Sequence, residues 1–191
     1  MEETIISLLN NTNIPGIEKL INWMKINGYF TSPCSGQHHL SKEGGLAEHS
    51  LNVFEYMCCF WKATNSKIDF NSIVITSLLH DLGKAGQYGK PNYVENMISD
   101  RKGGFKQSEN KPYVTNPLLL SVPHEVRSIH IASQFIQLTE EENWAILMHN
   151  GMYGEFKYTL QGKETPLYLL LHFADMWCSR VVEKSNEEVE E

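Results

Sequence analysis

An apolar run from Ile73 to Leu79 ends in His80-Asp81, with Leu82-Gly83-Lys84 directly after it. The run predicts a buried helix, and Gly83 predicts its stop. Two polar side chains are thereby left at the end of an element that must sit inside the protein. Burying an unpaired carboxylate costs free energy comparable to the whole stability margin of a domain. A cation shared by His80 and Asp81 removes that cost, so the stretch points to a metal. A His-Asp pair capping an exposed helix end would need no such partner, and the reading therefore depends on further ligands elsewhere.

Other helical patterns offer them. Between Leu46 and Lys62, His49 falls on one stripe with Leu46, Val53, Met57 and Phe60, which turns it inward. After Pro123 a helix carries two histidines. Ser128, Ile131, Ala132 and Phe135 share the face of His124, whereas His130 lies near Val126 and Gln134 and faces out. A capping box, Thr139 with Glu142, starts a helix that ends in His149-Asn150-Gly151. The last long helix, 165–183, is apolar nearly all round from Leu167 to Trp177 except at His172 and Asp175. A bare carboxylate is costly there unless an arginine such as Arg127 or Arg180 pairs with it. His172 reads as core or as support for a ligand. Imidazole and carboxylate together suit Zn, Fe, Mn and similar ions, and the lack of thiolates speaks for an open site rather than a closed structural zinc.

At 191 residues the chain fits one domain, 1–183, with N-terminal helices in 1–35 packing on it and an acidic tail at 184–191. The N-terminal helices are residues 2–10 and a second that has Pro15 in its first turn and Ile17, Leu20, Ile21 and Met24 on one face, stopping near Gly28. Acidic Glu2 and Glu3 stand where a secretory signal would be basic, and no apolar run approaches a membrane span. A soluble cytoplasmic protein is expected. Cys34, Cys58, Cys59 and Cys178 lack CxxC spacing and read as reduced buried thiols. The net charge of −7 is unevenly spread: Lys84 to Lys111 holds six basic residues against three acids. That island lies in a long irregular span, Ala85 to Pro123, where Asp100-Arg101-Lys102-Gly103-Gly104 suits the turn of a small hairpin. Its Tyr88 and Tyr113 suit stacking on a base and its Lys111 suits a phosphate. With no extended basic stripe, a long nucleic acid is not expected as a partner.

His49, then His80-Asp81, then Asp175 resembles the H…HD…D signature of the HD-domain metal-dependent phosphohydrolases. Gly44-Gly45-Leu46-Ala47-Glu48-His49-Ser50, preceded by His38-His39, and Leu79 to Lys84 resemble the HD domain of bacterial 3′→5′ exoribonucleases. His124-Glu125 through Leu138-Thr139-Glu140-Glu141 to His149 and Gly151 is similar to small stand-alone HD hydrolases. The resemblance implies an all-α HD-domain bundle with His49, His80, Asp81 and Asp175 around one ion. In the two-metal branch, Asp81 would bridge to a second ion held by His124 and His149. It implies a phosphohydrolase acting on a nucleotide, cyclic nucleotide or short oligonucleotide, with two ions of Fe, Mn, Zn, Ni or Mg about 3.5 to 4 Å apart activating water. Asp81 and Lys84 are the expected catalytic groups, with Lys84, Tyr88, Lys111 and Tyr113 on the substrate and His38 and His39 at the entrance. The chain lacks the OB-type domain of the exoribonucleases and the GYP tripeptide of the cyclic-di-GMP branch. The alternative is an HD-like module that senses a nucleotide without turnover; a structural zinc in a scaffold is a third reading.

Overall fold

The Ile73–Leu79 run forms the second half of a helix, α4 (Phe70–Leu79), whose residues from Ile73 onward are all buried. Asp69 opens it by accepting the Asn71 backbone N–H on its side chain, satisfying one of the unpaired donors of the first turn. The computed structural model describes residues 1–100 and 103–184. The acidic tail beyond Lys184 and the Arg101-Lys102 pair of the expected turn lie outside the described residues. Before α4 come α1 (Glu2–Asn11), α2 (Ile17–Ile26) and the 20-residue α3 (Gly45–Thr64). After it come α5 (His124–Ala132), α6 (Glu140–Met148), the short α7 (Lys157–Leu160) and α8 (Pro166–Trp177). The capping box expected at Thr139 and Glu142 is present.

The architecture is mostly helical but not all-α. Between α4 and α5, β1 (Tyr93–Glu95) pairs with β4 (Tyr113–Thr115), and β2 (Met97–Ser99) with β3 (Phe105–Gln107), both antiparallel. The second ladder is nested inside the first, so the span is one bent hairpin arm. Asn96 makes the bend: its N–H donates to the Pro112 carbonyl and its own carbonyl accepts from Ser108. The arm is tied to the body where the Tyr113 N–H donates to the Gly36 carbonyl.

Buried apolar side chains form two clusters. One joins α1 and α2 (Ile5, Leu9, Leu20, Met24) to Leu78 and Leu79 of α4 and Ile131 of α5. The other joins Val53 and Met57 of α3 to Ala145 and Met148 of α6 and Leu167, Leu171 and Ala174 of α8. Helices α3, α4 and α6 contribute to both, so they run through the seam between the clusters. No helix among the described residues is long and apolar enough to cross a membrane.

Three local expectations are corrected. Gly83 is not a left-handed helix stop: α4 ends at Leu79, and Gly83 sits in a 3-10 turn, Leu82–Lys84, without a positive φ. Its smallness serves a close approach, since an added Cβ would lie 2.1 Å from the His124 carbonyl oxygen and 2.8 Å from Arg127 Cβ. Pro15 precedes α2, which begins at Ile17 behind a left-handed Gly16, so the proline shapes the turn rather than the helix. The four cysteines are free, but only Cys34 and Cys178 are buried; Cys58 is half-buried and Cys59 is exposed because it lies on the solvent side of α3.

Candidate metal centre

The six expected ligands arrive from five helices. His49 lies on the buried stripe of α3, His80 caps the C-terminus of α4 with Asp81 next to it, and His124 opens α5. His149 caps α6, and Asp175 lies in α8. Their functional atoms converge. His49 Nε2 stands 3.2 Å from Asp175 Oδ1 and 3.3 Å from His80 Nε2. Asp81 Oδ2 lies 3.5 Å from His80 Nε2 and 3.7 Å from His49 Nε2. Its other oxygen, Oδ1, lies 3.2 Å from His124 Nε2 and 3.7 Å from His149 Nε2. One carboxylate therefore faces two different pairs of imidazoles.

Identical local devices orient two of the rings. As C-caps of α4 and α6, His80 and His149 each donate Nδ1–H to a carbonyl three residues back, Ser77 at 2.8 Å and Ile146 at 2.7 Å. The proton of each neutral ring is thus fixed on Nδ1, and the Nε2 lone pair is left pointing into the centre. His124 Nδ1 sits 3.2 Å from the buried Glu125 carboxylate, and its Nε2 is 3.3 Å from His149 Nε2. Asp81 Oδ1 is buried without a hydrogen bond, since the nearby His124 approaches it outside bonding geometry. The inward Nε2 lone pairs of His80 and His149, together with an orphaned carboxylate oxygen, suit a cation. His49, His80 and Asp81; His80, His149 and Asp175; and Asp81, His124 and His149 each form a group that could hold a metal ion.

Electrostatics follow the same division. Burial pushes the His80 imidazole down, and it pushes His149 down to about 3, so both rings are neutral. Burial also opposes charge on His49, but the Asp175 and Glu183 carboxylates outweigh it and hold this ring well above the usual value. Burial works against the Asp81 carboxylate too, yet Lys84, whose Nζ is 2.6 Å from Oδ2, keeps it well below the usual range. Asp175 is likewise lowered against burial by its hydrogen bond to His49. Neither Arg127 nor Arg180 pairs with Asp175: Arg127 Nη2 donates to the Leu120 carbonyl and Arg180 lies over the Tyr153 ring.

Sequence patterns did not place Glu183 or Cys34 at the centre and put His39 only at its entrance; the fold brings all three in. Glu183 is buried, its carboxylate 2.9 Å from His49 Nδ1 and bonded by Asn52 Nδ2 at 2.8 Å. It is the C-cap of a π-helical turn, Cys178–Val182, that follows α8. Cys34 Sγ lies 3.3 Å from His39 Nε2 and 3.9 Å from Asp81 Oδ2 and Lys84 Nζ, so a thiol does border the centre. Burial raises its pKa to about 11 and lowers that of His39 to about 4, leaving both neutral. Cys34, His39 and His49 are also close enough together to hold an ion.

The centre opens into a cavity of about 320 Å³ whose walls include Asp81, Lys84, His149 and Asp175 below and His38, His39, Tyr153 and Arg180 above. His172 also lines it, donating Nδ1–H to the His149 carbonyl at 2.7 Å. Tyr88, Lys111 and Tyr113 do not line this cavity. Lys111 and Tyr113 lie beside Gly36 at the foot of the hairpin arm, and Tyr88, 77 % exposed, borders a separate groove with Lys90 and Leu118. His130 is exposed, as its place on the wheel requires. Compared with family models, with curated proteins and with solved structures, the chain gives no match.

Proposed function

We propose that the chain is an HD-type metal-dependent phosphohydrolase that cleaves a phosphoester or phosphoanhydride bond of a nucleotide, cyclic nucleotide or short oligonucleotide. Asp81 carries this reading: its two oxygens face separate imidazole pairs at the floor of a cavity that reaches solvent. In this arrangement His49, His80 and Asp175 would hold one divalent cation, His124 and His149 a second, and Asp81 both. When bound, such a pair of ions supplies a water activated near neutral pH and neutralises charge on the phosphoryl oxygens. The chain's own residues do the rest. Glu183, Glu125 and the Ser77 and Ile146 carbonyls hold the ring orientations. Lys84 keeps part of its side chain open to the cavity while bound to Asp81, so its ammonium can meet a non-bridging oxygen or the leaving group.

The test is anaerobic purification with metal analysis, followed by a panel of nucleotides and a generic aryl phosphodiester with Mn, Fe, Zn, Ni or Mg. Turnover with at least one metal, and two ions per chain falling to one in His124→Ala, is the expected result. Nucleotide binding without turnover under any metal would replace the hydrolase with a sensor. A single ion in both proteins would recast His124 and His149 as substrate contacts.

A further inference from the structure

Tyr153 and Arg180 meet at the mouth of the cavity, the guanidinium carbon 5.5 Å from the ring centroid. Arg180 covers one face, yet the tyrosine remains 77 % exposed. An aromatic ring this bare adds little to the core, and it stands beside a cation in the cavity that also holds Asp81 and Lys84.

Its position is not accidental to the fold. Tyr153 ends a 3-10 turn, Gly151–Tyr153, that follows directly on His149 and Asn150. Gly151 has φ +54°, and an added Cβ would come within 2.4 Å of the His172 ring. That ring stacks on Tyr168 with 8° between planes and bonds to the His149 carbonyl. The turn that presents Tyr153 is thus fixed against the residue whose imidazole faces Asp81. Tyr153 and Arg180 line the same cavity as His149 and Asp175, so the ring and the centre share one chamber.

We infer that Tyr153, backed by Arg180, is a nucleobase platform. The ligand enters phosphate first, its phosphate towards Asp81 and Lys84 and its base on the open face of Tyr153. A cavity of about 320 Å³ falls within the usual range for ligand pockets. Base recognition then belongs to the segment after His149 and to α8, not to the arm with Tyr88 and Tyr113. The orientation of the ligand rests on the hydrolase reading; the stacking does not.

The test is therefore a binding measurement. Methylene phosphonate analogues of adenosine 5′-monophosphate and of ribose 5-phosphate, which resist hydrolysis, are titrated calorimetrically into metal-loaded protein. The adenosine analogue is expected to bind about tenfold more tightly, the effect of one base stacked on an aromatic side chain. That preference disappears in Tyr153→Ala, survives in Tyr153→Trp and survives in Tyr88→Ala. The ribose analogue reports whether the centre itself is intact in each variant. Equal affinities in wild type, or a base preference that persists in Tyr153→Ala, would overturn the inference. A base preference in a protein with no turnover would leave it standing and remove the hydrolase reading instead.

Discussion

Glu183 shows what a single carboxylate does at a distance from any substrate. Its contact with His49 Nδ1 at 2.9 Å fixes both the tilt and the tautomer of that ring, and Asn52 holds it there. Glu183→Gln keeps the shape and removes the charge, so metal affinity is expected to fall about 10- to 100-fold with the fold unchanged. Equilibrium dialysis beside a circular dichroism spectrum checks both halves; wild-type affinity would show Glu183 to be a bystander. Asp81→Asn acts differently, because it leaves the Lys84 ammonium, only 15 % exposed, without its partner at 2.6 Å. In metal-free protein that change is expected to cost about 3 kcal/mol in urea unfolding, and in loaded protein to abolish binding of both ions. The histidines were legible because each is the odd polar group on an apolar stripe or at a helix end. Glu183 and Cys34 were not, because their partners lie across the fold: 134 residues separate His49 from Glu183 and 47 separate Cys34 from Asp81, and no local period records that.

Among the elements, α5 depends on the 3-10 turn beneath it. Gly83 donates its N–H to Ser128 Oγ at 2.8 Å, and Ser128 Oγ in turn donates to the His124 carbonyl. Gly83→Ala places a methyl against that carbonyl and pushes the start of α5 away from Asp81. His124 moves with it, while His49, His80 and Asp175 stay on other helices. The expected outcome is loss of one ion with retention of the other, and destabilisation of about 1 to 3 kcal/mol, read by metal content per chain and by thermal unfolding. Two ions retained would mean that α5 yields without moving its histidine. The same glycine marks where sequence reasoning stops at this scale. Helices with sustained apolar period and caps were legible, as at Thr139 and Glu142. A glycine that permits a close approach and one that ends a helix look alike in the sequence, and only the neighbour across the gap tells them apart. Of the bent arm, the inner hairpin around 100–104 was legible from its turn residues, while the outer ladder and the bend at Asn96 were hidden, since backbone pairing holds them.

For the whole molecule, two apolar clusters form on either side of a polar seam, and each has its own buried contacts without a metal. Chelation is therefore expected to lower the melting temperature and leave the helices folded; at an ion concentration of 100 times Kd the stabilisation lost is about 2.7 kcal/mol for each ion. A chain that unfolds on chelation would favour the structural-zinc reading. The metal-free protein should also have a distinctive pH profile. His149 at about 3, His39 at about 4 and His80, also lowered, gain protons near their ordinary 6.5 only when the chain unfolds. Between 6.5 and about 4 the unfolded chain binds more protons, so stability falls as the pH falls, by at most about 1.4 kcal/mol per pH unit for each group. His49 has the opposite sign: its raised value means the folded state keeps a proton that the unfolded state releases, so stability falls as the pH rises above 6.5. Asp81, Asp175 and Glu183, all lowered, add a further loss as the pH drops below about 4. Metal-free protein is thus expected to be most stable near pH 6.5 and to weaken on both sides. Loaded protein should hold its melting temperature further into acid, because its ligands are not free to take up protons until the ions leave. His39→Gln flattens the acid side of the metal-free profile without touching the six ligands. Thermal unfolding in chelator from pH 8 to pH 5 measures all of this, and a profile that is level from 7 to 5 would contradict the neutral, inward-facing histidines from which the whole arrangement is built.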